Sequence, residues 1–434
     1  MRSPNLRPRL RVLATSAACV VAASTLAACG SDGPGGRSDS LEVWVYQDGS
    51  TVIQEELVER FNETSDIQVN LTQIPGDNYQ DRMRTAMGSP NAPDIFFNWG
   101  GGSIADFVEE DMLIDLTDEL AADPEFGDAF IPSILDSGAV DGRHYGVPMR
   151  GVQPVILFYN QVLFDEAGVE PPATLDDLFD LVDTFQQRDI TPAVLAGGDP
   201  WTELMWLEYL LDRQGGSEIF DAARNGDAEA WSDPAVLAAA ERAAELVEAG
   251  AFGNNFRSVS YTTDGASTFF AQGEAAMHLM GSWEYSNQLT NQPEFAENEL
   301  AWATFPVIDG GAGDPAALVG NPTNYWSVNA QVEGDKLDAA LEFLKLHAGE
   351  EYASSLIANG DIPATAGVES LLDDAPAPEY ARFQYEMVRD APSFTLSWDQ
   401  ALRSNQATPM LDNIEKLFSG QLDAEQFVEA MRNL

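Results

Sequence analysis

The chain repeatedly sets a flat or amide side chain beside a hydrogen-bonding one: Tyr46 with Asp48, Asn98 with Trp99, Arg150 with Gln153, Trp201 with Glu203, Trp283 with Glu284, Asn321 with Asn324, and Trp398 with Asp399. An indole face covers the apolar CH side of a sugar ring, while carboxylates and amides orient its hydroxyls. Wrong stereochemistry is then rejected by leaving buried groups unpaired. Taken singly, each pair reads as packing or surface; seven together suit a wide cleft for a neutral polyol. Bond-making motifs are missing: there is no HExxH, GxSxG, P-loop, dinucleotide fingerprint or cysteine metal pattern. His144, His278 and His347 are the only histidines, none in a nucleophile motif, and each reads as structural. Acids are so abundant that paired carboxylates for glycoside hydrolysis arise by chance and carry no signal. A structural calcium site is equally unsupported, and no catalytic residue, metal or cofactor is expected.

These pairs need elements to carry them. Residues 275–280 (AAMHLM) read as a buried strand ending at Gly281; Ser282 then caps a helix whose first turn holds Trp283, Glu284 and Tyr285. The carboxyl end of a strand is where open α/β sheets place ligands. The same strand-then-helix pattern runs from Leu41. Strands are expected at 41–45, 67–71, 94–97, 155–159, 192–195 and 300–305. Helices follow Asp77 and Ser103, and further helices span 174–185, 234–248, 262–272 and 336–347. Alternation of this kind predicts an α/β protein with mostly parallel sheets flanked by helices. The carboxyl third from Leu371 reads as helical, with Trp398 and Asp399 at a turn within it.

The 434 residues, 44% of them apolar, exceed one ordinary domain, so two lobes are expected. Residues 1–28 read as an export signal: Arg2, Arg7, Arg9 and Arg11 precede an apolar run, and Leu26-Ala27-Ala28-Cys29-Gly30 has the lipobox pattern, with lipid expected on Cys29. The Gly- and Ser-rich stretch up to residue 40 reads as a tether reaching on the order of 18 Å. Cys19 and Cys29 are the only cysteines, so the mature fold has neither disulfide nor thiol nucleophile. Taking the leader's four arginines from the 22 basic residues leaves 18 against 71 acids, a net charge of −53. Such a field disfavours nucleic acid and anionic lipid as partners and points to adaptation to a salty exterior.

The segments LEVWVYQDGS (41–50), APDIFFNWGGG (92–102), YGVPMRGVQPVILFYN (145–160), QGEAAMHLMGSWEYSNQ (272–288) and SWDQ (397–400) together resemble the extracellular sugar-binding lipoproteins of ABC importers, the group that includes maltose-binding protein. The resemblance covers roughly 41–434. It implies a two-lobed periplasmic-binding-protein-like fold of type II, joined by crossing segments near 151–154, 301–306 and 361–365. Lobe 1 would comprise 41–150 with 307–360, and lobe 2 151–306 with 361–434. Stacking positions of the family fall on Trp283, Trp398 and Trp201, and polar contacts on Asp48, on Asn98 or Trp99, and on Gln153. Where maltose-binding protein carries charged residues this chain has Gly49, Gly101, Gly102 and Gln153, which points away from maltose. MRGVQPVILFYN, PWTELMWLEYL and GNPTNYWSVN look most like actinobacterial members taking up xylobiose or cellobiose. The implied protein is a non-enzymatic monomer, lipid-anchored at the outer face of the cell membrane, that closes on a sugar and delivers it to a permease. A secreted glycoside-processing enzyme and a binder of polyamines or cations are the competing readings.

Overall fold

The computed structural model describes residues 40–47, 50–75, 79–261 and 265–434. Cys29, most of the tether, Asp48, Gly49 and the expected helix starts at Asp77 and Thr262 lie outside the described residues. Strand β1 (Ser40–Tyr46) alternates strictly, with Leu41, Val43 and Val45 in the core and the residues between them half-buried. The parallel strands β2 (Gln68–Ile74) and β3 (Ile95–Asn98) flank it. Helix Thr51–Thr64 covers this sheet with Ile53, Leu57 and Phe61, which recur at helical spacing. A short pair, β4 (Ala139–Val140) with β5 (Arg143–His144), precedes β6 (Val147–Pro148).

The chain then crosses to a second sheet made of β7 (Gln153–Asn160), β8 (Thr191–Val194), β9 (Ala275–Gly281), β10 (Leu300–Ala303) and β11 (Leu318–Asn321). It returns to the first sheet as β12 (Tyr325–Val328) and ends in the second with β13 (Phe394–Leu396). The orders are β2-β1-β3-β12-β6 and β13-β11-β7-β9-β8, with β10 also on β7. Each sheet holds one reversed strand. β12 runs antiparallel to β3 and β6, and β7 runs antiparallel to β9, β10 and β11. Both are strands entered directly from the other sheet, because a chain leaving one sheet at the shared edge enters the next running away from that edge.

Each sheet has its own apolar core. β9 is buried along its whole length, and β7 in all but its first residue, as strands covered on both faces must be. The crossings lie side by side: Met149 N–H donates to the Asn324 carbonyl at 2.8 Å, the Thr323 hydroxyl donates to the Arg150 carbonyl at 2.7 Å, and Val152 N–H donates to the Ile362 carbonyl at 2.7 Å. The second crossing falls at residues 322–324, later than the expected 301–306, because that stretch begins with β10, which pairs with β7. Helix Pro378–Arg389 touches both cores, Tyr380 facing one and Tyr385 the other.

Two buried polar devices fix the first lobe. Lys336 pairs with Asp94 at 2.8 Å, and Asp94 also accepts Glu42 N–H at 2.8 Å, which ties β1 to the loop before β3. Trp326 Nε1 donates to His347 Nε2 at 2.9 Å. Nδ1 of that ring therefore carries the proton toward the Phe343 and Leu344 carbonyls, and burial pushes the imidazole pKa down to about 4. Among the described residues no helix is long and apolar enough to cross a membrane.

Candidate functional site

Register alone gathers most of the expected residues at one edge. Tyr46 ends β1 and Asn98 ends β3; Tyr325, which starts β12, pairs with both Asn98 and Pro148, so Arg150 follows at the same level. In the second sheet Asn321 pairs with Gln153, Gly281 with Val155, and Gly320 with Leu396. The carboxyl ends of both sheets thus meet where the chain crosses between them, the position at which open α/β sheets hold ligands.

Two aromatic groups form there. In the first lobe Trp99 is half-exposed and stands edge-on to Phe97, Tyr46 and Tyr79 at centroid distances of 4.9, 5.7 and 5.8 Å. Arg150 underlies this group: its guanidinium lies 5.3 Å from the Phe97 ring and donates to the Tyr46 carbonyl at 3.0 Å. In the second lobe Trp201 and Trp283, both half-buried, lie 6.4 Å apart, with Tyr261 edge-on to Trp201 at 5.0 Å. Trp201 sits just after Pro200 at the start of helix Pro200–Gly215, and Trp283 begins helix Trp283–Asn291. Gly281 makes the second arrangement possible, since a Cβ there would overlap the Trp283 ring. Asp199 accepts Tyr261 N–H at 2.8 Å and Asn287 donates to the Tyr261 hydroxyl at 2.7 Å, which holds the wall together.

Several expected contacts are turned inward. Asn98 is spent on its own fold, donating to the Ser327 hydroxyl at 2.9 Å and accepting Gly100 N–H at 2.9 Å. Asn324 is buried within the crossing and Arg150 beneath Tyr46. Trp398 offers no stacking face: it is 2% exposed, stacked on Phe220 at 5.0 Å and met edge-on by Trp231 at 5.4 Å. A two-ring apolar slot lay open on the second core, and the indole filled it. Glu284 is fully buried and accepts from Ser267 at 2.8 Å and Gln288 at 2.6 Å, with His278 Nδ1 at 3.3 Å. The carboxylate here separates hydroxyl from imidazole, so His278 is not placed to take the Ser267 proton as a nucleophilic triad requires. Glu203 is also fully buried, and burial, aided by the charge of Glu415, pushes its pKa up to about 8. Gln153 and Asn321 remain half-buried at the mouth of the crossing.

A cavity of about 450 Å³ opens between the lobes, lined by Tyr79, Trp99 and Phe107 on one side and Asp399, Gln400 and Asn405 on the other. Its size suits a small oligosaccharide, within the roughly 300–1,000 Å³ usual for small-molecule sites. Tyr79, Tyr261, Gln400 and Asn405 were not singled out from the sequence. Tyr79 opens helix Tyr79–Met87, and Tyr261 and Asn405 lie away from strand ends, so no strand-end pattern marks them. Among the described residues no cluster of three or more His, Cys, Asp or Glu side chains could hold a metal ion.

The chain matches the model of the bacterial extracellular solute-binding protein family over residues 46–354. It is 26% identical to the diacetylchitobiose-binding protein DasA of Streptomyces coelicolor over 372 residues, 82% of this chain and 83% of that one. It is 24% identical to the xylose/arabinose-binding protein XacG of Haloferax volcanii, over 62% of this chain and 58% of that one. A solved structure from work on xylan utilization by Caldanaerobius polysaccharolyticus superposes with a TM-score of 0.78 and 26% identity, covering 91% of this chain and 99% of the other. A chitin oligosaccharide binding protein gives the same TM-score at 24% identity, covering 91% and 98%. Both share the two-lobed α/β architecture, and the family consists of binding proteins rather than enzymes. This chain belongs to the bacterial extracellular solute-binding proteins.

Proposed function

We propose that this protein captures a neutral short oligosaccharide between its lobes and delivers it to the permease of an ABC importer, itself unchanged. The observation that carries the reading is the placement of half-exposed rings at both sheet edges, Trp99 with Tyr46 in one lobe and Trp201 with Trp283 in the other. Tyr46, Trp99, Gln153, Trp201, Trp283, Asn321 and Asp399 are the ligand-facing candidates. Arg150, Glu203, Glu284, Asn98, Asn324 and Trp398 act from behind, as supports. The cargo is a disaccharide-sized plant-wall sugar such as xylobiose or cellobiose, and the similarity to a diacetylchitobiose binder makes that sugar the first competitor. We take one lobe as residues 40–152 and 322–375 and the other as 153–321 and 390–434, with helix Pro378–Arg389 between; the two sheets and two apolar cores support this division. Lipid on Cys29 would hold a monomer at the outer face of the cell membrane.

The test is a thermal-shift panel of xylobiose, cellobiose, diacetylchitobiose, maltose and putrescine, with each sugar recovered and analysed for cleavage. A ligand at 100 times its Kd stabilises by about 2.7 kcal/mol, a shift of several degrees. Stabilisation by one neutral sugar, recovered intact, is expected. Cleavage of the sugar, or stabilisation by putrescine alone, would replace this reading with a hydrolase or a cation carrier.

A further inference from the structure

The two lobes touch along one rim of the cavity through side chains that the sugar-binding reading does not use. Helix Gly102–Glu109 belongs to the first core through Ile104, whereas Arg403 leads into helix Ser404–Phe418, whose Ala407 and Met410 belong to the second. Arg403 Nη1 donates to Asp106 Oδ1 at 2.8 Å and to Glu109 Oε2 at 2.9 Å, and Nη2 donates to Glu109 Oε1. A few residues away Gln80 donates to Gln400 across the same gap at 3.3 Å. Between these bonds the backbones abut, and a Cβ added at Gly102 would overlap the Ala401 carbonyl. The wall of the interlobe cavity includes Gln80, Gly102, Asp106 and Gln400 beside Trp99, whereas Trp201 and Trp283 do not line it, so these contacts border the first-lobe end of the cleft.

We propose that Arg403 is an affinity-setting residue: without touching the ligand, it clasps the first lobe through Asp106 and Glu109 and supplies part of the free energy of closure. The inference rests on the reading of a two-lobed binding site. A conformational equilibrium coupled to binding weakens apparent affinity by the fraction of molecules in the competent state. In a chain with 71 acids and 22 bases, two acidic lobes repel as they approach, and a cation placed between two carboxylates offsets that repulsion locally. Arg403 has 37% of its side-chain surface exposed, so salt screens the clasp. A neutral sugar has no charge for salt to act on. A salt-dependent penalty on its affinity, when Arg403 is replaced, would therefore report closure rather than ligand contact.

The experiment compares wild type with Arg403→Gln and with the double variant Asp106→Asn, Glu109→Gln, at 50 mM and 1 M NaCl. Sugar affinity is measured with xylobiose, cellobiose and diacetylchitobiose. Lobe separation is measured without ligand, by spin labels on cysteines introduced at exposed Glu56 and Glu425 in a chain starting at residue 31. Both clasp variants are expected to weaken binding about fivefold at low salt and less than twofold at high salt, the range of an exposed multidentate ion pair. Their ligand-free distances should lengthen to match. Gly102→Ala, which wedges the rim without changing charge, should weaken binding equally at both salts. Equal affinities and equal distances for wild type and Arg403→Gln would overturn the clasp while leaving sugar binding intact. If none of the sugars binds, the distances alone decide: a shift upholds the clasp and no shift refutes it.

Discussion

Replacing Glu203 by glutamine should change the pH dependence of stability more than stability itself. Its carboxyl is fully buried at the start of helix Pro200–Gly215, with no hydrogen-bond partner for either oxygen among the described residues, and its pKa stands at about 8 against an ordinary 4.5. A folded-state pKa raised above the unfolded one means that the folded chain holds the proton more tightly. The stabilisation is thus full below pH 4.5 and is lost as pH rises through 8. At about 1.4 kcal/mol per pH unit, the span from pH 5 to pH 8 removes about 3–4 kcal/mol. With roughly 2–4 °C per kcal/mol for a lobe of this size, the midpoint should fall by about 10 °C. Scanning calorimetry of Glu203→Gln across that span should show a flatter profile, crossing wild type near pH 5 and lying above it at pH 8. Parallel profiles would mean that Glu203 is not held neutral by burial.

Other consequences follow from packing and charge. Trp398→Ala should cost about 3–5 kcal/mol in urea unfolding, because its indole fills a slot between Phe220 and Trp231. Lys336→Ala should cost a similar 3–5 kcal/mol, since it removes the ammonium that compensates buried Asp94. The thermal midpoint of wild type should rise between 50 mM and 1 M NaCl as repulsion among the 71 acids is screened, and an unchanged midpoint would argue against salt adaptation.

Local pattern carried much of the architecture. The uninterrupted apolar run of β9, Gly281 and the helix starting at Trp283 were legible because strand, stop and helix onset are each signalled within a few residues. The alternation that implied mostly parallel sheets was legible too, but the two reversed strands were not, since reversal is a property of where the chain crosses and leaves no local mark. The crossing at 322–324 was missed for the same reason. For the site, sequence could place residues at strand ends but could not say which way they turned. Trp283 stays half-exposed beside Trp201, while Trp398, equally well placed along the chain, found two rings on its own core to pack against. Glu284 directly follows half-buried Trp283 and Glu203 lies two residues after half-buried Trp201, yet helical periodicity rotates both carboxyls inward. Residues brought from elsewhere, such as Tyr79 and Asn405, could be found only in three dimensions.

Calorimetric titration of wild type and Trp283→Ala with xylobiose, cellobiose and diacetylchitobiose probes the aromatic cleft itself. Saturable one-to-one binding of a neutral sugar is expected, weakened at least tenfold in the variant while its unfolding midpoint barely moves. Tight binding left intact by the loss of Trp283, or no binding of any neutral sugar by the wild-type chain, would contradict an aromatic-walled sugar cleft between the lobes.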